Sequence, residues 1–130
     1  MTVKAIFYGL AFTVTALISG CDNATYSSGF SKEKFATVNV GDSIDDVKAK
    51  VGQPIRSVMY AKEGFQGKVF GDKLYSIIPF DEVKKESADN RIFVELEYSL
   101  QSNSWRPYRF WRITIADGRV IQRTNEIVGD

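Results

Sequence analysis

The chain has 130 residues, with 17 Lys and Arg against 16 Asp and Glu, a net charge of +1, one cysteine and no histidine. Near-neutral charge argues against a nucleic-acid binder, which would show a strongly basic face. The missing histidine removes the commonest general base and metal ligand, and one cysteine excludes an intramolecular disulfide, so a packed core must supply the stability.

Lys4 precedes an apolar run from Ala5 to Ile18, which is about 14 residues against the roughly 20 that a membrane-spanning helix needs. A positive start, an apolar stretch and small residues make an export signal over residues 1–20. Leu17-Ile18-Ser19-Gly20-Cys21 closes that segment and resembles a bacterial lipobox. The resemblance implies a diacylglyceryl thioether on Cys21, cleavage after Gly20, and acylation of the new amine by a chain such as palmitoyl. Each buried methylene contributes about 0.8 kcal/mol, so several chains together hold the protein on a membrane without spanning it. Asp22 is the sorting position: in enteric-type bacteria an aspartate there commonly retains a lipoprotein in the inner membrane.

Residues 21–130 hold 16 basic and 16 acidic side chains, because only Lys4 lies in the signal. A chain of this size makes one compact domain burying roughly two-thirds of its unfolded surface. From Asn23 to Ser31 the composition is Ala, Thr, Ser, Gly and Asn, with Tyr26 and Phe30 the large apolar exceptions. Residues 21–30 are therefore expected to form a flexible lipidated tether, and residues 31–130 the globular domain.

Ser31 is placed to cap a short helix through Lys32-Glu33-Lys34-Phe35-Ala36. A second helix is predicted from Ile44. Ser43 stands three residues before Asp46 as an acidic capping box, Asp45 and Asp46 favour the positive end of the helix dipole, and Lys48 and Lys50 favour the other end. Ile44, Val47 and Val51 share one face, Gly52 supplies a left-handed cap, and Pro54 prevents continuation. The run Val40-Gly41-x-Ser43-x-x-x-Val47-x-x-x-Val51-Gly52-x-Pro54 is similar to the opening helical motif of SmpA/OmlA-like envelope lipoproteins, which include the small subunit of the outer-membrane β-barrel assembly machine. The similarity covers residues 38–56 and implies an α+β fold, with two short N-terminal helices on an antiparallel sheet of three or more strands. It also implies an outer-membrane location, where Asp22 points to the inner membrane.

Arg56–Ala61 and Leu74–Ile78 are strand candidates, with Gly64, Gly67 and Gly71 between them, and residues 79–90 are expected to be a solvated loop or a short surface helix. From Arg91 to Leu100 the even positions are apolar or aromatic, while Glu95, Glu97 and Ser99 take the other side. In Tyr108–Ile115 the odd series Trp111, Ile113 and Ile115 is the core face, which sets Tyr98 opposite Trp111, Leu96 opposite Ile113, Val94 opposite Ile115, and Glu97 opposite Arg112. Asp117-Gly118 predicts a type I′ turn into a last strand, Arg119–Thr124. Val120 then falls beside Ile115 and Gln122 beside Ile113, so an edge position or a bulge is expected.

Catalytic equipment is absent from the pattern. Triads need a histidine, and no phosphate-cradling or nucleophile-elbow motif occurs. Glu95 and Glu97 could act as a glycosidase pair, but a solvent face paired to Arg112 and Thr114 accounts for them. Asp42, Asp45 and Asp46 could bind calcium, but capping accounts for them without a metal. No cofactor, metal or nucleic acid is expected, and the chain is not read as an enzyme. Trp105, Arg106, Tyr108, Arg109, Phe110 and Arg112 interleave aromatic rings with bidentate donors, a mixture suited to nucleic acid, anionic lipid headgroups or a protein hot spot. The sequence thus points to a membrane-tethered, periplasm-facing module that binds an envelope protein. By resemblance it is an accessory or scaffold in envelope protein assembly, and the alternative is an inhibitor or regulator of an envelope enzyme.

Overall fold

Residues 23–61, 75–103 and 106–128 are described by the computed structural model; Cys21, Asp22 and Trp105 lie outside them. Within them, caps decide where helices begin. Ser31 accepts the Lys34 N–H and opens α1, Lys32–Ala36. Ser43 accepts the Asp46 N–H at 3.1 Å while Asp46 accepts the Ser43 N–H at 3.0 Å, completing the expected capping box of α2, Ile44–Val51. Gly52 ends α2 with φ 82° and ψ −169°. The positive φ is as expected, but the ψ lies outside the left-handed helical basin, in a region that only glycine occupies readily.

Among the described residues, seven strands follow the chain order β1 Ala24–Tyr26, β2 Arg56–Ala61, β3 Tyr75–Ile78, β4 Ile92–Glu97, β5 Ser99–Gln101, β6 Tyr108–Ala116 and β7 Arg119–Val128. Five form an antiparallel sheet in the order β3-β2-β4-β6-β7, and β1 pairs with β5 in a second, two-stranded sheet. The expected register between β4 and β6 is present: Val94 faces Ile115, Leu96 faces Ile113 and Glu97 faces Arg112. The ladder breaks at Tyr98, whose N–H still donates to the Trp111 carbonyl at 2.9 Å. The Ser99 hydroxyl completes the break by donating to the Arg109 carbonyl and accepting the Trp111 N–H.

Asp117 and Gly118 both have positive φ, 53° and 73°, as a type I′ turn requires. β7 is an edge strand with a bulge: Val120 faces Ile115 but Gln122 faces Thr114. Ile121 is the extra residue, so Gln122 is moved off the core face that simple alternation would assign it. Main-chain bonds from Gly41 to Val120 and from Val120 to Asp42 cover the start of this edge.

The core lies on one face of the large sheet. Phe35, Ile44, Val47 and Val51 from the helices meet Val94, Leu96, Ile113, Ile115 and Val120 from the strands. Val47, Val94, Leu96, Ile113 and Ile115 are completely buried, and each such side chain contributes about 1.5–3 kcal/mol. Aromatic rings close one end, with Phe35 edge-on to Trp111 at 5.1 Å and to Tyr98 at 6.1 Å. The Tyr98 hydroxyl donates to the Gly52 carbonyl at 2.9 Å, joining this cluster to the end of α2.

Two expectations are corrected. Residues 23–30 are part of the fold and not a tether: β1 is paired, and Tyr26 and Phe30 stack at 5.1 Å against the core. Two aromatic anchors outweigh the polar composition around them. The helices are also not all N-terminal. A 3-10 turn, Phe80–Glu82, and a third helix, α3, Val83–Glu86, follow β3, and Val83 is completely buried. The expected surface helix over residues 79–90 thus carries one core anchor. Among the described residues, no helix is long and apolar enough to cross a membrane.

Candidate partner-binding face

Strand alternation turns Trp111, Ile113 and Ile115 toward the helices, and therefore Tyr108, Phe110 and Arg112 toward the opposite face of the sheet. The register brings Phe93, Glu95 and Glu97 of β4 and Arg56, Val58 and Tyr60 of β2 onto that same face. From β7 it adds Thr124 and Glu126. Tyr60 stacks on Phe93 at 5.1 Å, and Tyr108 lies 5.8 Å from Phe110. All four rings are half-buried.

Between the two aromatic pairs runs a charged ladder. Arg56 donates through Nε and Nη2 to Glu97 Oε1, both at 2.6 Å. Arg112 reaches Glu95 at 3.6 Å and Glu126 at 3.2 Å, donates to the Thr124 hydroxyl at 3.1 Å, and lies 5.3 Å from the centre of the Phe110 ring. Glu97 and Arg112 are opposite in register, as expected, yet each takes a different partner. Glu97 is also not on a solvated face: it is 3% exposed. Strand β2, packed on the far side of β4, supplies both its cover and its counter-ion.

Burial pushes the Glu97 carboxyl above the ordinary glutamate range, and the neighbouring Arg56 guanidinium only partly offsets it. Tyr60 is raised chiefly by burial and then by the charges of Glu95 and Glu97. Tyr108 is raised by burial and then by Glu97. These carboxylates are held by arginines, so a hydrolytic pair would first have to lose its counter-ions.

The expected interaction residues divide. Tyr108, Phe110 and Arg112 share the outer face. Arg109 does not belong with them, because its place in the alternation turns it to the other side, where it donates to the Asn125 amide oxygen at 2.7 Å. Arg106 is exposed in the connection before β6. Trp105, Cys21 and Asp22 lie outside the described residues. Sequence reasoning missed Arg56, Tyr60 and Phe93; the detectable signal was Phe93, an aromatic ring among the odd-numbered polar positions of β4.

Among the described residues, no cluster of acidic, cysteine or histidine side chains could hold a metal. An open depression of about 220 Å³, lined by Arg56, Val58, Tyr60 and Ile77, is smaller than the usual small-molecule cleft. A second, of about 380 Å³, lies between Val40 and Ile121, and Arg123 is its one ionisable lining group. Aromatic and arginine side chains of this kind are enriched at protein interfaces. Comparison with family models, with curated proteins and with solved structures finds no match to this chain.

Proposed function

We propose that the chain is a lipid-anchored, periplasm-facing protein-binding module, an accessory or scaffold in envelope or outer-membrane protein assembly. The observation that carries this reading is the one-sided sheet. Buried residues of all three helices join the core on one face, while the other presents Tyr108 and Phe110 beside an arginine-carboxylate ladder. The lipobox ending at Cys21 supports the anchor, and the capped helix Ser43–Gly52 supports the likeness to SmpA/OmlA-like lipoproteins.

Two measurements test it. Cys21→Ser should abolish incorporation of labelled palmitate and release the protein from membranes, whereas firm attachment and normal maturation of that variant would end the anchor reading. A photo-crosslinking residue at Phe110 should capture subunits of the β-barrel assembly machine in living cells, and one at the solvent-exposed Lys48 should not. Capture of a single envelope enzyme at Phe110 would move the function to inhibition or regulation. Membrane fractionation of the same cells reads whether Asp22 retains the protein in the inner membrane.

A further inference from the structure

Asn23 opens the described chain and is already locked to the connection between β5 and β6. Its Nδ2 donates to the carbonyls of Asn103 at 2.9 Å and Arg106 at 2.7 Å. Its own carbonyl accepts the Ser102 N–H at 3.2 Å, and the hydroxyls of Thr25 and Ser102 share a hydrogen bond of 2.8 Å. β1 then continues the clasp by pairing with β5, and Tyr26 packs into the core behind it.

Cys21 stands two residues before Asn23. An extended chain advances at most about 3.3–3.6 Å per residue, so the two Cα atoms are within about 7 Å of each other. The polar headgroup layer on each side of a bilayer is of similar depth, roughly 6 Å. Acyl chains on Cys21 place that residue at headgroup level, and no slack remains to lift Asn23 clear. Resting on the lipid-anchor reading above, we infer that the end of the domain built from Asn23, Asn103, Arg106 and the start of β6 is a membrane-contact surface for phospholipid headgroups.

The chemistry of this end fits that ligand. From Tyr98 to Trp111 the sequence contains Arg106 and Arg109 but no Asp or Glu. Arg106 is exposed, and the Arg109 guanidinium donates to the neutral Asn125 amide, which leaves its charge available to a phosphate. Ile127, opposite Arg109 on β7 and on the same face of the sheet, is 59% exposed and adds an aliphatic group there. Along β6 the Asp117–Gly118 turn lies about 30 Å from this end, at roughly 3.3 Å per residue. Ala88 is close to that far turn, because the Gly118 N–H donates to the Ser87 carbonyl at 3.1 Å.

The test uses full-length lipoprotein purified from membranes and reconstituted into phosphatidylethanolamine and phosphatidylglycerol vesicles. Pro107→Cys or Ala88→Cys is labelled with a thiol-reactive fluorophore, and quenching by headgroup spin-labelled lipid is read. A thioether on Cys21 leaves the introduced cysteine as the sole free thiol, so one label per chain verifies the anchor independently. Quenching should be several-fold stronger at position 107 than at 88. It should fall toward the level at 88 when a Gly/Ser stretch longer than the headgroup depth is inserted between Asp22 and Asn23. One label per chain with equal quenching at both positions overturns the contact surface while the anchor stands. Two labels per chain, meaning a free Cys21 thiol, remove the anchor and the surface together.

Discussion

Substituting Gly52 isolates the cost of a backbone conformation. The residue closes α2 at φ 82° and ψ −169°, with its N–H donating to the Lys48 carbonyl at 2.9 Å. A Cβ built there meets nothing within 4 Å, so neither a clash nor lost packing enters the result. Strain in this glycine-only region costs about 1–3 kcal/mol. Restricting the unfolded chain returns roughly 0.4–1 kcal/mol of that. Gly52→Ala should therefore destabilise by about 1–2 kcal/mol, read in urea as a lower midpoint at unchanged slope. Asparagine separates this geometry from an ordinary left-handed cap, because it tolerates the left-handed helical basin but not this one. Gly52→Asn should cost as much as Gly52→Ala, whereas Gly118→Asn in the type I′ turn should cost clearly less. A Gly52→Asn protein as stable as wild type would refute the reasoning, since it would mean that Gly52 occupies the ordinary basin.

The raised Glu97 pKa gives a signed pH dependence. Below the ordinary glutamate value both folded and unfolded states are protonated and nothing changes. Between that value and the higher folded one the folded state binds more protons, so stability falls as pH rises. Glu97→Gln should flatten this fall in thermal melts across the acidic range, and an unchanged slope would contradict it. Arg56→Met strands the buried carboxylate. Breaking a buried pair costs 3–5 kcal/mol, and with Arg56 itself 40% exposed the expected loss is about 1–3 kcal/mol. That loss should shrink in the Glu97→Gln background, a coupling that a double-mutant cycle reads directly. Ser43→Ala removes one half of the α2 capping box and should cost about 1 kcal/mol in chemical denaturation.

Helix boundaries, one turn and the central register could be read from the chain because each rests on neighbours close in sequence. Ser43 and Asp46 satisfy each other's N–H groups across a single turn, and Asp117 and Gly118 adopt the positive φ values their residue types favour. Alternation along β4 and β6, with Glu97 set opposite Arg112 on the outer side, pointed to the pairing that buries Val94, Leu96, Ile113 and Ile115 together. Other features depended on neighbours that local pattern does not name. Glu97 takes Arg56 because β2 lies beside β4, a strand order that alternation leaves open. Arg109 lies off the expected aromatic face because the odd positions of β6 turn to the side of Trp111 and Ile113, a parity already legible in the sequence.

The polar run after Cys21 shows the division most clearly. Its composition is that of a linker, and nothing nearby in sequence tells Asn23 to bind Asn103 and Arg106, or Phe30 to pack on Tyr98 and Trp111. Residues within a turn or a strand of one another determined the caps, the hairpin turn and the buried faces, because hydrogen bonds and side-chain period act over that range. Which strand neighbours which, which carboxylate is buried, and how closely Asn23 is held to the connection between β5 and β6 were decided only when distant segments met in the tertiary structure. The free energy of those contacts belongs to pairs separated by long loops, and the logarithmic cost of closing such loops sets no preference among the partners available.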